Sequence, residues 1–188
     1  MNIPWGSKET DKFIGIVGLI TTTGPIGENI AACEWTRLIS YKPALIAINT
    51  EPNDATTENI RATKEFGAGI ATSDQATLVS VAGGSTGREM NKIEALKELG
   101  FKFKLASSIK APLVEGTALN LECKVIQEIV LGDHIMFIGE VVAAETGAGE
   151  PLAYYQRLFY KLGENLPKPS DEERERIKST VTKHPRQQ

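Results

Sequence analysis

The amino-acid sequence predicts a mainly β fold with helical insertions, arranged as an antiparallel barrel or sandwich. Three observations lead there. Leu119, Leu121, Cys123 and Val125 alternate with Asn120, Glu122 and Lys124, the period-two pattern of a strand with one buried face. A second strand, Ile135 to Val142, follows across Gly132-Asp133, a dipeptide suited to a tight hairpin turn. Helical patterns occupy the middle of the chain, but strands and helices lack the βαβ rhythm of a doubly wound sheet.

In chain order, Phe13 to Ile20 reads as a strand stopped by Thr21-Thr22-Thr23-Gly24-Pro25. Ile30 to Trp35 is a second, with Ala31, Cys33 and Trp35 on one face. Pro43 to Ile48 is almost wholly apolar and therefore expected to be covered on both sides. Asn53 to Phe66 carries a helical pattern, with Asn53, Asp54 and Thr56 as candidate caps. Met90, Ile93, Leu96 and Leu99 mark another helix, and Gly100 its stop. Leu158-Phe159-Tyr160 ends the β part. After Pro167 and Pro169, Ser170 opens a charged helix with almost no apolar face, solvated or docked on a partner. The chain thus divides into a domain over 1–165 and a charged tail over 166–188.

Composition narrows the function. At 188 residues the chain is long enough to bury a core without disulfides, and 41% apolar with 24% charged residues is an ordinary globular balance. The net charge of −3 argues against nucleic acid as partner, because neutralising phosphates needs a concentrated basic surface. No apolar stretch has the length of a membrane span, and Met1 to Gly6 lacks a basic-then-apolar leader, so a cytoplasmic protein without membrane attachment is expected. Cys33 and Cys123 stand alone and, with His134 and His184, do not make a metal-ligand spacing; both cysteines are expected to be small buried hydrophobes, and no metal is expected.

The motifs divide into discarded and retained. Gly83-Gly84-Ser85-Thr86-Gly87 matches G-x-S-x-G after the apolar run Leu78 to Val81, but the sheet that displays a nucleophile elbow is missing. Asp133 and His134 would have to complete the triad, and neighbours on a strand point to opposite faces, so no relay is expected from them. The Gly/Ser stretch then reads as a loop. Neither G-x-G-x-x-G after a strand nor G-x-x-x-x-G-K-[ST] occurs. What remains is Asn49-Thr50 at the end of the apolar strand, with Asp54-Ala55-Thr56-Thr57 at the next helix start, where free N–H groups and hydroxyls suit an anion. Taken singly, these Thr and Asp residues read as caps, His134 as a turn residue, Trp35 as core and Lys92 as a solvated charge.

Pro112 to Val125, followed by Gly132-Asp133-His134 and Gly139-Glu140-Val141-Val142, resembles the flavin reductase-like FMN-binding proteins, close to the flavoredoxins. The resemblance includes Asn29, Trp35, Pro43, Thr56 with Ile60, Ser85 to Lys92, and Phe159-Tyr160-Lys161-Leu162-Gly163, and spans roughly residues 12 to 165. It implies a Greek-key split β-barrel that forms a homodimer and holds FMN. By the same resemblance, Asn29 and Trp35 lie near the isoalloxazine ring, and Asn49, Thr50 and Thr56 around the ribityl phosphate. Lys92 pairs with the phosphate, His134 and Phe159 lie near the ring or its open face, and Ile70-Ala71-Thr72 runs past the flavin. The implied activity is hydride transfer from NADH or NADPH to FMN or a downstream acceptor, with no side chain acting as obligatory catalyst. Two alternatives stay open: an electron carrier reduced by a redox protein, and a flavin-binding module with no redox role.

Overall fold

The computed structural model describes residues 1–186. Seven antiparallel strands form a curled half-barrel: β2 (Gly18–Thr22), β3 (Asn29–Cys33), β4 (Thr36–Tyr41), β5 (Ala44–Thr50), β6 (Glu65–Ile70), β9 (Leu119–Leu131) and β10 (His134–Thr146), in the order β3-β2-β6-β9-β10-β5-β4. A smaller sheet joins β1 (Ile14–Ile16), β11 (Ala153–Tyr155) and β12 (Leu158–Tyr160) in the order β1-β11-β12. β7 (Phe103–Lys104) and β8 (Leu113–Val114) make a short pair. Helices α1 (Ala55–Thr63), α2 (Ala76–Gly84) and α3 (Lys92–Glu98) lie between strands, and α4 (Asp171–Thr182) ends the described chain with no buried residue. Its N-cap is Ser170, whose hydroxyl accepts the Glu173 N–H, as the sequence predicts.

The main hairpin follows from alternation and one glycine. Leu131 pairs with His134, and Gly132 takes φ +60 between them, a backbone state that a side chain disfavours. Both faces of the sheet are covered near β2: Leu19 enters a cluster with Leu78, Val79, Ile93 and Leu96 of α2 and α3, while its neighbour Ile20 enters the barrel interior with Ile48, Phe66, Cys123, Ile135 and Phe137. The loop over 105–111 is tied to the barrel by Glu122, whose carboxylate accepts from the Ser107 and Ser108 amides and the Ser107 hydroxyl. Burial pushes that carboxyl upward, but the amides and the hydroxyl outweigh it and hold it below the usual carboxylate range.

Several expected elements change. Phe13 to Ile20 is two strands, because Val17 lies between β1 and β2 and each joins a different sheet. The expected helix to Phe66 stops at Thr63, where Lys64 adopts φ 59, and Phe66 belongs to β6, which pairs with both β2 and β9. Trp35 is not a strand residue in the core but sits, half-exposed, in the turn between β3 and β4. Gly83 and Gly84 end helix α2 rather than forming a loop. β4 and β11 were not anticipated.

Candidate functional site

A cavity of about 990 Å³ opens between the β3–β4 turn, the end of β5, the end of α2, the β11–β12 hairpin and the N-terminal segment. Its lining includes Trp35, Asn49, Thr50, His134 and Phe159, five of the residues singled out from sequence.

The β3–β4 turn is held in place by its own polar groups. The Thr36 hydroxyl donates to the Cys33 carbonyl at 2.9 Å, the Cys33 thiol to the Asn49 carbonyl at 3.1 Å, and Asn49 Nδ2 to the Trp35 carbonyl at 3.2 Å. Burial pushes the Cys33 thiol up, so it stays a neutral hydrogen-bond donor. These bonds fix the backbone from which Trp35 projects, and its ring lies 4.6 Å from that of His134 at a 42° tilt. His134 Nδ1 meets Asp133 Oδ1 at 2.8 Å. The expectation that these neighbours diverge is therefore wrong: Asp133 belongs to the hairpin turn, not to the strand, so strand alternation does not govern it. The bond from His134 in turn holds the Asp133 carboxyl below its usual range.

Behind this wall lies a buried polar network. The Thr57 hydroxyl donates to the Glu51 carbonyl at 2.6 Å, so at the 2.7 Å contact between the two hydroxyls Thr50 is the donor. Asn29 Nδ2 donates to Thr56 Oγ1 at 2.9 Å, while Asn29 Oδ1, also buried, finds no partner among the described residues. That oxygen faces Gly87, where a Cβ would come within 2.1 Å of it, so only glycine admits the 85–91 loop so close. Asn59 donates to Thr22 Oγ1 and the Gly27 carbonyl and accepts the Ile26 N–H, all within 3.1 Å. Asp54, the N-cap of α1, turns its carboxylate to the Glu51 N–H and makes no cap bond to the helix, leaving the first-turn amides without a side-chain partner.

Lys92 is not a solvated charge. It is buried, and Nζ donates to the carbonyls of Ala82 and Ser85 at 2.9 and 3.1 Å, closing the end of α2. Burial lowers its pKa to about 8, with the nearby Asp54 charge opposing the shift. Asn29, Thr56 and Lys92 thus stand behind the cavity wall rather than on it. Ile70, Ala71 and Thr72 do not run past the cavity: all three are buried, the Ala71 N–H donates to Val17, and Thr72 lines a separate pocket beside Gly116 and Gly149. Beyond β6 that segment forms an isolated bridge from Thr72 to Pro151, just before β11, and this pairing directs it away.

The remaining wall was not foreseen. It comes from Ile3 to Asp11 with the β11–β12 hairpin. Arg157 lies 6.0 Å over the Trp5 ring and reaches Asp11 Oδ2 at 3.3 Å. Gln156 and Arg157, the two turn residues, take φ 52 and 64. Such a turn favours Asn-Gly, and each bulkier residue there is disfavoured by roughly 1–2 kcal/mol. The only sequence signal is the two-residue gap between Ala153-Tyr154-Tyr155 and Leu158-Phe159-Tyr160, with no turn residue in it. Glu34 also lines the cavity, accommodated by the missing side chain of Gly15; burial raises its pKa and Arg37 opposes this. Among the described residues no cluster could hold a metal ion, and no helix is long and apolar enough to cross a membrane.

Known proteins give this arrangement a context. The chain is 27% identical over 149 residues to an uncharacterized protein of Archaeoglobus fulgidus, covering 77% of this chain and 82% of that one. Among solved structures it is similar to an FMN-binding protein of Thermus thermophilus bound to p-hydroxybenzaldehyde (TM-score 0.78, 22% identity, 90% of this chain and 97% of the other). It is similar too to the flavoredoxin of Desulfovibrio vulgaris (0.75, 22%, 91% and 98%) and to an NADH:FAD oxidoreductase of Streptomyces globisporus (0.75, 19%, 84% and 91%). At these identities the likeness shows a common split-barrel fold. The model of the flavin reductase like domain matches residues 10–163, and the chain belongs to that family.

Proposed function

We propose that the cavity binds one FMN without a covalent link, and that the protein is an oxidoreductase taking hydride from NADH or NADPH for transfer to an acceptor. The carrying observation is the wall that joins an aromatic pair, Trp35 and His134, to an uncapped helix start through Asn49, Thr50 and Asp54. A planar ring with a phosphate arm matches that sequence of surfaces, and about 990 Å³ lies at the upper end of the range for small-molecule sites.

When bound, the flavin supplies the hydride chemistry. Trp35 and His134, already in contact with each other, would together line one side of the ring, and Phe159, partly exposed, would cover part of its approach. The first-turn amides of α1 receive the phosphate, with Lys92 behind the Gly83-Gly84 end of α2 as the compensating charge; two of its three N–H groups are already used. Asp133 holds the His134 ring through Nδ1, which leaves Nε2 as the nitrogen that would hydrogen-bond the nicotinamide or acceptor. A homodimer is part of the same proposal, supported by the exposed apolar residues Leu38, Ile39 and Tyr41 on edge strand β4 and Ile126, Val130 and Leu131 on β9.

The test is direct. Purified protein should carry or take up flavin, release it as FMN on denaturation, and lose its yellow absorbance anaerobically with NADH or NADPH in stopped flow. A protein that takes up no flavin overturns the proposal. Bleaching by a reduced ferredoxin but by neither nicotinamide selects the electron carrier, a second reading favoured by the exposed aromatic rim of Trp35 and Phe159.

A further inference from the structure

We infer that Arg157 is the anion anchor of this cavity, holding the phosphate or carboxylate of the small redox partner that comes to the flavin. The inference rests on the FMN reading above and goes beyond it by naming the partner's chemistry and the residue that selects it. Among the described residues lining the cavity, Arg157 is the sole arginine or lysine, whereas Asp11, Glu34, Glu51, Asp54 and Asp133 are all carboxylates. A negatively charged partner entering a cavity of that balance needs a cation, and one guanidinium is in place to supply a forked pair of N–H donors.

Two independent features of the chain point to the same residue. The hairpin turn places Gln156 and Arg157 in the left-handed region, φ 52 and 64, without the glycine or asparagine that such a turn favours. Backbone strain of this kind collects where a side chain must be aimed, and here it is Arg157 that is aimed at the cavity. The guanidinium is also held by contacts that a ligand can replace. Its partner Asp11 is a carboxylate at 3.3 Å, a long single contact, and its other neighbour is the face of Trp5 at 6.0 Å. Asp11 thus occupies the position of an incoming oxyanion, and the face of Trp5 stays available to a planar group when Asp11 is exchanged. Lys92, the other cation near the cavity, is buried and bonded to two carbonyls, so it is assigned to the cofactor's phosphate and not to the exchanging partner.

The experiment compares Arg157→Gln and Arg157→Lys with the unaltered FMN-loaded protein, using NADH and the uncharged donor 1-benzyl-1,4-dihydronicotinamide. Arg157→Gln should raise the half-saturating NADH concentration about tenfold or more, and change bleaching by the uncharged donor less than twofold. Arg157→Lys should recover most of the NADH effect. Equal losses with both donors would make Arg157 a structural residue of the hairpin and overturn the inference, as would no loss with either. Weakened FMN with unaltered riboflavin affinity would place the cofactor's own phosphate on Arg157, and also overturn it. Where the unaltered protein binds FMN but neither donor bleaches it, the nicotinamide reading fails alone. The anchor is then read from flavin-band shifts on adding benzoate or benzamide: benzoate binding about tenfold weaker in Arg157→Gln with benzamide unaffected upholds it, and equal binding to both variants overturns it.

Discussion

The two walls of the cavity are built on opposite principles. On the side of β5 and α1, Asn29, Thr50, Thr56, Thr57 and Asn59 are buried and bonded to one another or to the backbone, with Asn59 alone making three short contacts. On the side of the N-terminal segment and the β11–β12 hairpin, Trp5 and Arg157 are exposed, and Arg157 is held by the face of Trp5 at 6.0 Å and by one long ion pair to Asp11. A low-dielectric network is strong when complete and severely weakened when one member is lost. An exposed ion pair contributes between zero and about 1 kcal/mol and can be exchanged for another at little loss. The first wall is therefore suited to a resident cofactor and the second to a molecule that comes and goes.

The largest effect should come from breaking the first wall. Asn59→Ala leaves the Ile26 N–H, the Gly27 carbonyl and Thr22 without their buried partner, and should lower stability by about 3 kcal/mol or more, read from urea unfolding. FMN retention should fall with it. A loss under about 0.5 kcal/mol would erase the distinction between the walls.

Lys92→Met should come next. Removing the buried ammonium proposed to balance the FMN phosphate should weaken FMN about tenfold to a hundredfold, by calorimetry, and riboflavin much less. The pH dependence of the flavin-free protein sharpens this. Because burial lowers Lys92 from 10.5 to about 8, the unfolded chain binds the extra proton between those values, so stability should rise as pH rises from 8 to 10.5. A bound phosphate raises the lysine again, so FMN should flatten that rise. An equal slope with and without FMN would separate Lys92 from the phosphate.

His134→Gln should lower flavin reduction at most about tenfold, or roughly 1.4 kcal/mol, because hydride transfer between stacked rings needs placement and not a proton. Asp133→Asn should have a smaller effect of the same kind. A thousandfold loss from His134→Gln with FMN still bound would make the Asp133–His134 pair an acid–base device. The smallest change should come from Trp5→Ala, with unfolding altered by less than about 0.5 kcal/mol while limited proteolysis cuts the N-terminal segment more readily.

Much of this protein is local in origin. Alternation from Leu119 to Val125, the Gly132-Asp133 turn, the apolar Pro43 to Ile48 run and the Ser170 cap depend on neighbours in sequence, so the sequence by itself determined the main hairpin, the buried fifth strand and the tail helix. Trp35, Asn49, Thr50, His134 and Phe159, which the resemblance singled out as flavin contacts, line the cavity. What only the tertiary structure decided are relations between distant segments. Phe66 became a strand residue because it pairs with Cys123 of β9 in a strand that β2 also pairs from Gly67 onward, which overrode the helical pattern around it. Lys92 became buried because α2 ends in two carbonyls that its ammonium satisfies. Asp133 met His134 because a turn, unlike a strand, need not alternate its side chains. Arg157 and Asp11, 146 positions apart, were joined only when β1 paired with β11, a long-range pairing that no local pattern encodes.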